Sequence, residues 1–154
     1  MKSPELSKQI QVQAKAHVQD IGWTDWVTNP DSDTNYIGTT GQSKRMEAVQ
    51  IRLVNAPSDM KICYTVHIQS IGWTNEVCNG EQAGTTGQAL RMEAIKIRLV
   101  NSARMSVTYR GYVQDQGWMS WQNDGEQTGT TGQSLRMEAL NIKLTSDVLI
   151  PVTR

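Results

Sequence analysis

Ala83-Gly84-Thr85-Thr86-Gly87-Gln88-Ala89-Leu90-Arg91-Met92-Glu93-Ala94-Ile95 decides the fold, because nearly the same run stands on either side of it. Gly-Thr-Thr-Gly-Gln recurs from Gly38 to Gln42 and from Gly129 to Gln133, and Arg-Met-Glu-Ala begins at Arg45, Arg91 and Arg136. Upstream of each copy lies a second shared phrase: Gln19-Asp20-Ile21-Gly22-Trp23, Gln69-Ser70-Ile71-Gly72-Trp73 and Gln114-Asp115-Gln116-Gly117-Trp118. Order and spacing are kept, apart from a short insertion before the first Gly-Thr-Thr-Gly. The chain is a triplication, and a repeat of this kind must be read before anything else.

Outward from that stretch, each unit carries two runs of period two, the pattern of a half-buried strand. Ile62, Tyr64, Val66 and Ile68 share one face, as do Val107, Tyr109, Gly111 and Val113; Cys63, Thr65, His67 and Gln69 take the other. After Arg-Met-Glu-Ala, Ile95, Ile97 and Leu99 face inward and Lys96 and Arg98 outward. Val49, Ile51 and Leu53, then Leu140, Ile142 and Leu144, repeat the inward set. No stretch has a period of 3.6, so no helix is expected.

A unit of about 45 residues cannot bury an adequate core alone, whereas three around a common axis can. The expectation is therefore one all-β domain spanning 1–154, with repeats at about 10–56, 57–102 and 103–146. A closed pseudo-threefold arrangement also removes sheet edges. Four short strands per unit would give a β-trefoil, with a three-faced β-prism as the alternative. Val148-Leu149-Ile150-Pro151-Val152, within a C-terminal strand over 147–154, is expected to close the ring near Ile10 and Val12.

Composition narrows function. Fifteen basic and fifteen acidic residues cancel, so long-range attraction to nucleic acid or an anionic membrane is not expected. No apolar run reaches the ~20 residues of a membrane-spanning helix. The segment Met1 to Lys8 has no apolar core and does not read as a signal peptide, which fits a cytoplasmic chain or one whose export signal has been removed. Cys63 and Cys78 could be bonded or free, since spacing alone fixes no separation in space.

The phrases Gly-Trp, Gly-Thr-Thr-Gly-Gln and Arg-Met-Glu-Ala-Ile-x-Ile-x-Leu resemble the clostridial hydrophobic repeat with a central Trp, the ChW repeat. The resemblance runs from about His17 to Leu144 and is closest in the second unit. It implies an extracellular or cell-surface attachment module of bacterial origin, usually in triplets, with no catalytic residues. This sequence departs from the pattern at Glu76, where the other units have Trp26 and Trp121, at Tyr112, which replaces His17 and His67, and at the insertion.

Indole faces stack on sugar rings, and the ring N–H can bind a hydroxyl. Trp23, Trp73 and Trp118 are candidates on that ground, but their identical recurrence also suits plugs in the core. Trp26 and Trp121 are stronger ligand candidates, because a fold does not need what one of its three units omits. His17, His67, Gln19, Gln69 and Gln114 lie on the outward strand faces and could add polar contacts, although both histidines read as exposed positions. The Gly-Thr-Thr-Gly bend offers hydroxyls for sugars but reads better as a tight, self-bonded turn.

Glu47, Glu93 and Glu138 are expected inward, each paired with the Arg two residues before it, because a lone buried carboxylate is costly. They are poor catalysts: a glycosidase needs two unlike carboxyl groups across one bond. Asp31-Ser32-Asp33-Thr34-Asn35 begins like a calcium loop, but Tyr36 and Gln42 stand where that loop needs Gly and Glu, leaving a solvated turn. No metal or cofactor is expected, nor any enzyme activity. The reading is a non-catalytic, multivalent carbohydrate-binding module for cell-wall or cell-surface glycans, with an extracellular protein-interaction or adhesion module as the alternative.

Overall fold

The computed structural model describes residues 9–102 and 104–146. Within them the chain is all-β: three antiparallel five-stranded sheets and no helix. The first unit contributes β1 (Gln11–Val18), β2 (Gly22–Trp23), β3 (Val27–Thr28), β4 (Ile37–Gly38) and β5 (Met46–Val54). The second gives β6 (Lys61–Ile68), β7 (Gly72–Trp73), β8 (Val77–Cys78), β9 (Gln82–Gly84) and β10 (Met92–Val100). The third gives β11 (Met105–Val113), β12 (Gly117–Trp118), β13 (Gln122–Asn123), β14 (Gln127–Gly129) and β15 (Met137–Ser146).

In each unit the two long strands pair as the alternation requires. Val12, Ala14, Ala16 and Val18 are buried on β1, and Ile62, Tyr64, Val66 and Ile68 on β6. With Ile51, Ile95, Ile97, Leu140, Ile142 and their neighbours they form one apolar cluster drawing on all three units. The two-residue strands fold back on the outer long strand: β2 and β3 on β1, β7 and β8 on β6, β12 and β13 on β11.

The fifth strand of each sheet is borrowed. β9, from the second unit, pairs with β5 of the first; β14, from the third, pairs with β10 of the second; β4, from the first, pairs with β15 of the third. The exchange is cyclic. Gly-Thr-Thr-Gly is thus the docking segment between units, where sequence reading expects a self-bonded turn. The backbone N–H of Thr39, Thr85 and Thr130 donates to the carbonyl of Glu138, Glu47 and Glu93 in the neighbouring unit. Glycine is required at the contact: a Cβ on Gly84 would collide with the Glu47 carbonyl and lie 2.7 Å from Ala48 Cα. The C-terminal closing strand expected over 147–154 lies outside the described residues; β4 on β15 joins the last unit to the first.

The joints differ in detail. Tyr64 lies buried between the first two units, accepting from Ile51 N–H and donating to the Glu81 carbonyl. Tyr109 repeats this between the second and third, donating to the carbonyls of Asn123 and Glu126. The first unit has Ala14 at that position and compensates with its insertion, which is more than a solvated turn. There Asn141, fully buried, donates to the carbonyls of Pro30, Ser32 and Asn35 at 2.8–3.1 Å.

Candidate functional site

Register determines which groups meet on the outer faces. Strands β1 and β5 pair in step until His17 and Val18, where Ala48 and Met46 are their partners and Glu47 is the extra residue. Such a bulge reverses the alternation. Met46 enters the core, and Glu47 turns to the side of His17, not inward with Val49 and Ile51 as simple alternation expects. The second and third units carry the same shift between Met92 and Ala94 and between Met137 and Ala139.

A chain of contacts follows in each unit. Trp23 sits opposite His17, ring edge to ring face at 5.3 Å, and Trp73 meets His67 identically. His17 Nδ1 donates to Glu47 Oε1 at 2.9 Å, as His67 does to Glu93. Glu47 Oε2 accepts from Arg45 Nε at 2.8 Å; Arg91 with Glu93 and Arg136 with Glu138 repeat the pair. In the third unit Tyr112 takes the place against Trp118, at 5.3 Å. The Arg–Glu pairing expected from sequence is present, but the histidines are not exposed: their side chains are 19% and 18% accessible, clamped between indole and carboxylate. Nor do the tryptophans plug the core. Trp23 and Trp118 are half-buried and Trp73 is exposed, because they stand on the face opposite the buried residues of β1, β6 and β11.

Basic side chains lie over these rings. Lys15 lies 5.3 Å from the Trp23 ring and 5.0 Å from that of Trp26, and Arg52 lies 3.8 Å from Trp26. In the third unit Arg110 sits between Trp118 and Trp121 at 4.6 and 4.7 Å, with Lys143 over Trp121. The second unit supplies Lys96 to Trp73 at 4.6 Å. Where Trp26 is replaced by Glu76, Arg98 makes a two-pronged ion pair at 2.7 and 2.8 Å. Those hydrogen bonds hold the Glu76 carboxyl below its usual range, while the nearly exposed guanidinium is raised. Cation–π contact and ion pair are two ways of seating the same cation. Sequence reading named the tryptophans but not Lys15, Arg52, Arg110 and Lys143; the available signal was their place on the outward parity of the strands.

Gln19, Gln69 and Gln114 do not join the aromatic faces. Each accepts the backbone N–H of Arg45, Arg91 or Arg136 through its side-chain oxygen at 3.2 Å. With those arginines, and Ser43, Ala89 and Ser134, they line a single depression of about 460 Å³. The first hydroxyl of each Gly-Thr-Thr-Gly, on Thr39, Thr85 and Thr130, is buried, so it is not presented to a ligand. Cys63 and Cys78 face each other across β6 and β8 and form a disulfide. Glu76 lies close to both sulfurs, but sulfurs bonded to each other do not supply thiolates to a metal.

This is a triplicated all-β module with aromatic–cationic outer faces. The chain belongs to the Clostridial hydrophobic W (ChW) family, whose model matches it three times in tandem, at residues 17–55, 67–101 and 112–146. No curated protein and no solved structure matches the chain.

Proposed function

We propose that the protein is a non-catalytic, multivalent carbohydrate-binding module for cell-wall or cell-surface glycans, with one site on the outer face of each unit. The observation that carries this reading is the accessible indole of Trp73, held edge-on by His67 beside Lys96, with related settings at Trp23 and Trp118. A fixed indole offers an apolar platform at little entropic cost, and the adjacent ammonium or guanidinium supplies hydrogen-bond donors to hydroxyl or acidic groups on the sugar. Three shallow sites on one chain gain avidity without further contacts. Trp26 and Trp121 serve as second rungs in two of the faces. An architecture of three faces favours the prism over the trefoil, because each sheet is essentially one unit with a single borrowed strand. A disulfide in the second unit supports an oxidising, extracellular setting.

Glycan arrays that include bacterial cell-wall fragments, with hits titrated by Trp fluorescence, test the proposal. Saccharide binding that changes indole emission and falls at least ~10-fold, or about 1.4 kcal/mol, in Trp73→Ala with Trp26→Ala and Trp121→Ala is expected. Undiminished binding in a folded triple variant would overturn the site. A second reading, a protein-interaction or adhesion module, is favoured by Ile21 and Ile71, which stand 51% and 54% exposed at the tips beside Trp23 and Trp73. It predicts a blank array and loss of a protein contact in Ile71→Ser.

A further inference from the structure

We infer a separate binding site for a compact, multiply charged oxyanion in the depression where the three units meet. Its lining comprises three equivalent trios, one member per unit: Gln19, Gln69 and Gln114; Arg45, Arg91 and Arg136; Ser43, Ala89 and Ser134. A cavity lined this way lies on the axis relating the units. Its volume, about 460 Å³, falls within the roughly 300–1,000 Å³ of small-molecule sites.

The chemistry of the lining is one-sided. Each guanidinium has its Nε fixed on a buried carboxylate, and its two terminal nitrogens have no hydrogen-bond partner among the described residues. Each glutamine spends its oxygen on a backbone N–H, which leaves its amide nitrogen as a donor. No carboxylate belongs to the lining. The glutamates stand behind the arginines, so an occupant meets guanidinium first and carboxylate only at longer range. Planar, preoriented guanidinium is the group best suited to paired oxygens of a carboxylate or phosphate. Glu47, Glu93 and Glu138 thereby act as positioning residues, and threefold repetition suits a ligand with several such groups, such as a tricarboxylate or a pyrophosphate.

Calorimetric titration of the whole chain with citrate, pyrophosphate and inorganic phosphate tests this, with a neutral sugar as control. One citrate or pyrophosphate per chain, with no heat from the sugar, is expected; which anion binds more tightly separates carboxylate from phosphate chemistry. Gln19→Glu, Gln69→Glu and Gln114→Glu together keep the oxygen that accepts the arginine N–H but replace three donors with negative charge. Affinity should fall at least ~100-fold, twice the 1.4 kcal/mol of a tenfold step. Should that variant fold poorly, Ser43→Asp, Ala89→Asp and Ser134→Asp provide a second probe. Those positions have φ of 55°, 56° and 57°, which Asp tolerates. Absence of binding at ~10 mM, tenfold above the weak end of the affinity scale, would overturn the site. So would unchanged affinity in a folded variant, or a stoichiometry well above one.

Discussion

At the scale of single residues, the buried polar groups that bridge units, Tyr64, Tyr109 and Asn141, are each hydrogen-bonded, which offsets the cost of burying them. Burial pushes the phenols of Tyr64 and Tyr109 up to about 12 from an ordinary 10. Because the folded form holds its proton more tightly than the unfolded chain, their contribution to stability is whole below pH 10. It is lost as pH rises from 10 towards 12. Thermal midpoints measured over that range should fall for the native chain and fall less steeply for Tyr64→Phe with Tyr109→Phe. At neutral pH, Asn141→Leu removes three hydrogen bonds to the carbonyls of the insertion and takes the acceptor from Arg110 Nε, and should destabilise by about 1–3 kcal/mol in urea unfolding. Glu76→Trp should be nearly neutral, within about 0.5 kcal/mol, because Arg98 exchanges an exposed ion pair for the stack that Arg52 makes on Trp26. None of these pairings is visible in composition or period. Tyr64 reads simply as an inward aromatic, and nothing in the insertion's polar sequence announces that it caps an asparagine over a hundred positions away.

At the scale of elements, the long strands are legible in the sequence because a two-residue period runs through most of each, as at Ile62, Tyr64, Val66 and Ile68 or at Leu140, Ile142 and Leu144. The bulge is not, since one extra residue leaves the local pattern intact while reversing the parity beyond it, and simple alternation therefore puts Glu47 on the wrong face. The docking role of Gly-Thr-Thr-Gly is hidden for a related reason. Two or three residues of strand carry no period, and a partner in another unit leaves no trace in local sequence. Its glycine makes the sharpest prediction. Gly84→Ala should lift β9 from β5 and cost several kcal/mol, whereas Gly87→Ala, with open space and a φ of 74°, should cost about 1 kcal/mol. Differential scanning calorimetry separates the two. The disulfide belongs to this scale as well. It joins a pair of positions held in the first unit by the Gln13–Thr28 side-chain hydrogen bond, so it reinforces a hairpin that forms without it. Reduction should lower stability by about 2–4 kcal/mol and leave the β signature in circular dichroism unchanged.

For the molecule as a whole, threefold repetition converts modest local features into two kinds of surface. The outer faces repeat one aromatic–cationic setting three times, each with its own substitutions. The axial depression instead collects one contribution from each unit into a single place. Sequence reading found every glutamine of that depression but assigned them to the outer faces, because convergence on an axis follows from assembly and not from any one unit. The cyclic exchange of strands has a last implication, concerning how many copies such a chain can contain. With two units, one sheet would lack its fifth strand and one docking segment would have no berth. Such a chain could satisfy both only by linking head to tail with others, closing into rings or growing without limit. Three is therefore the copy number at which, in this chain, every sheet has its fifth strand and every docking segment its berth.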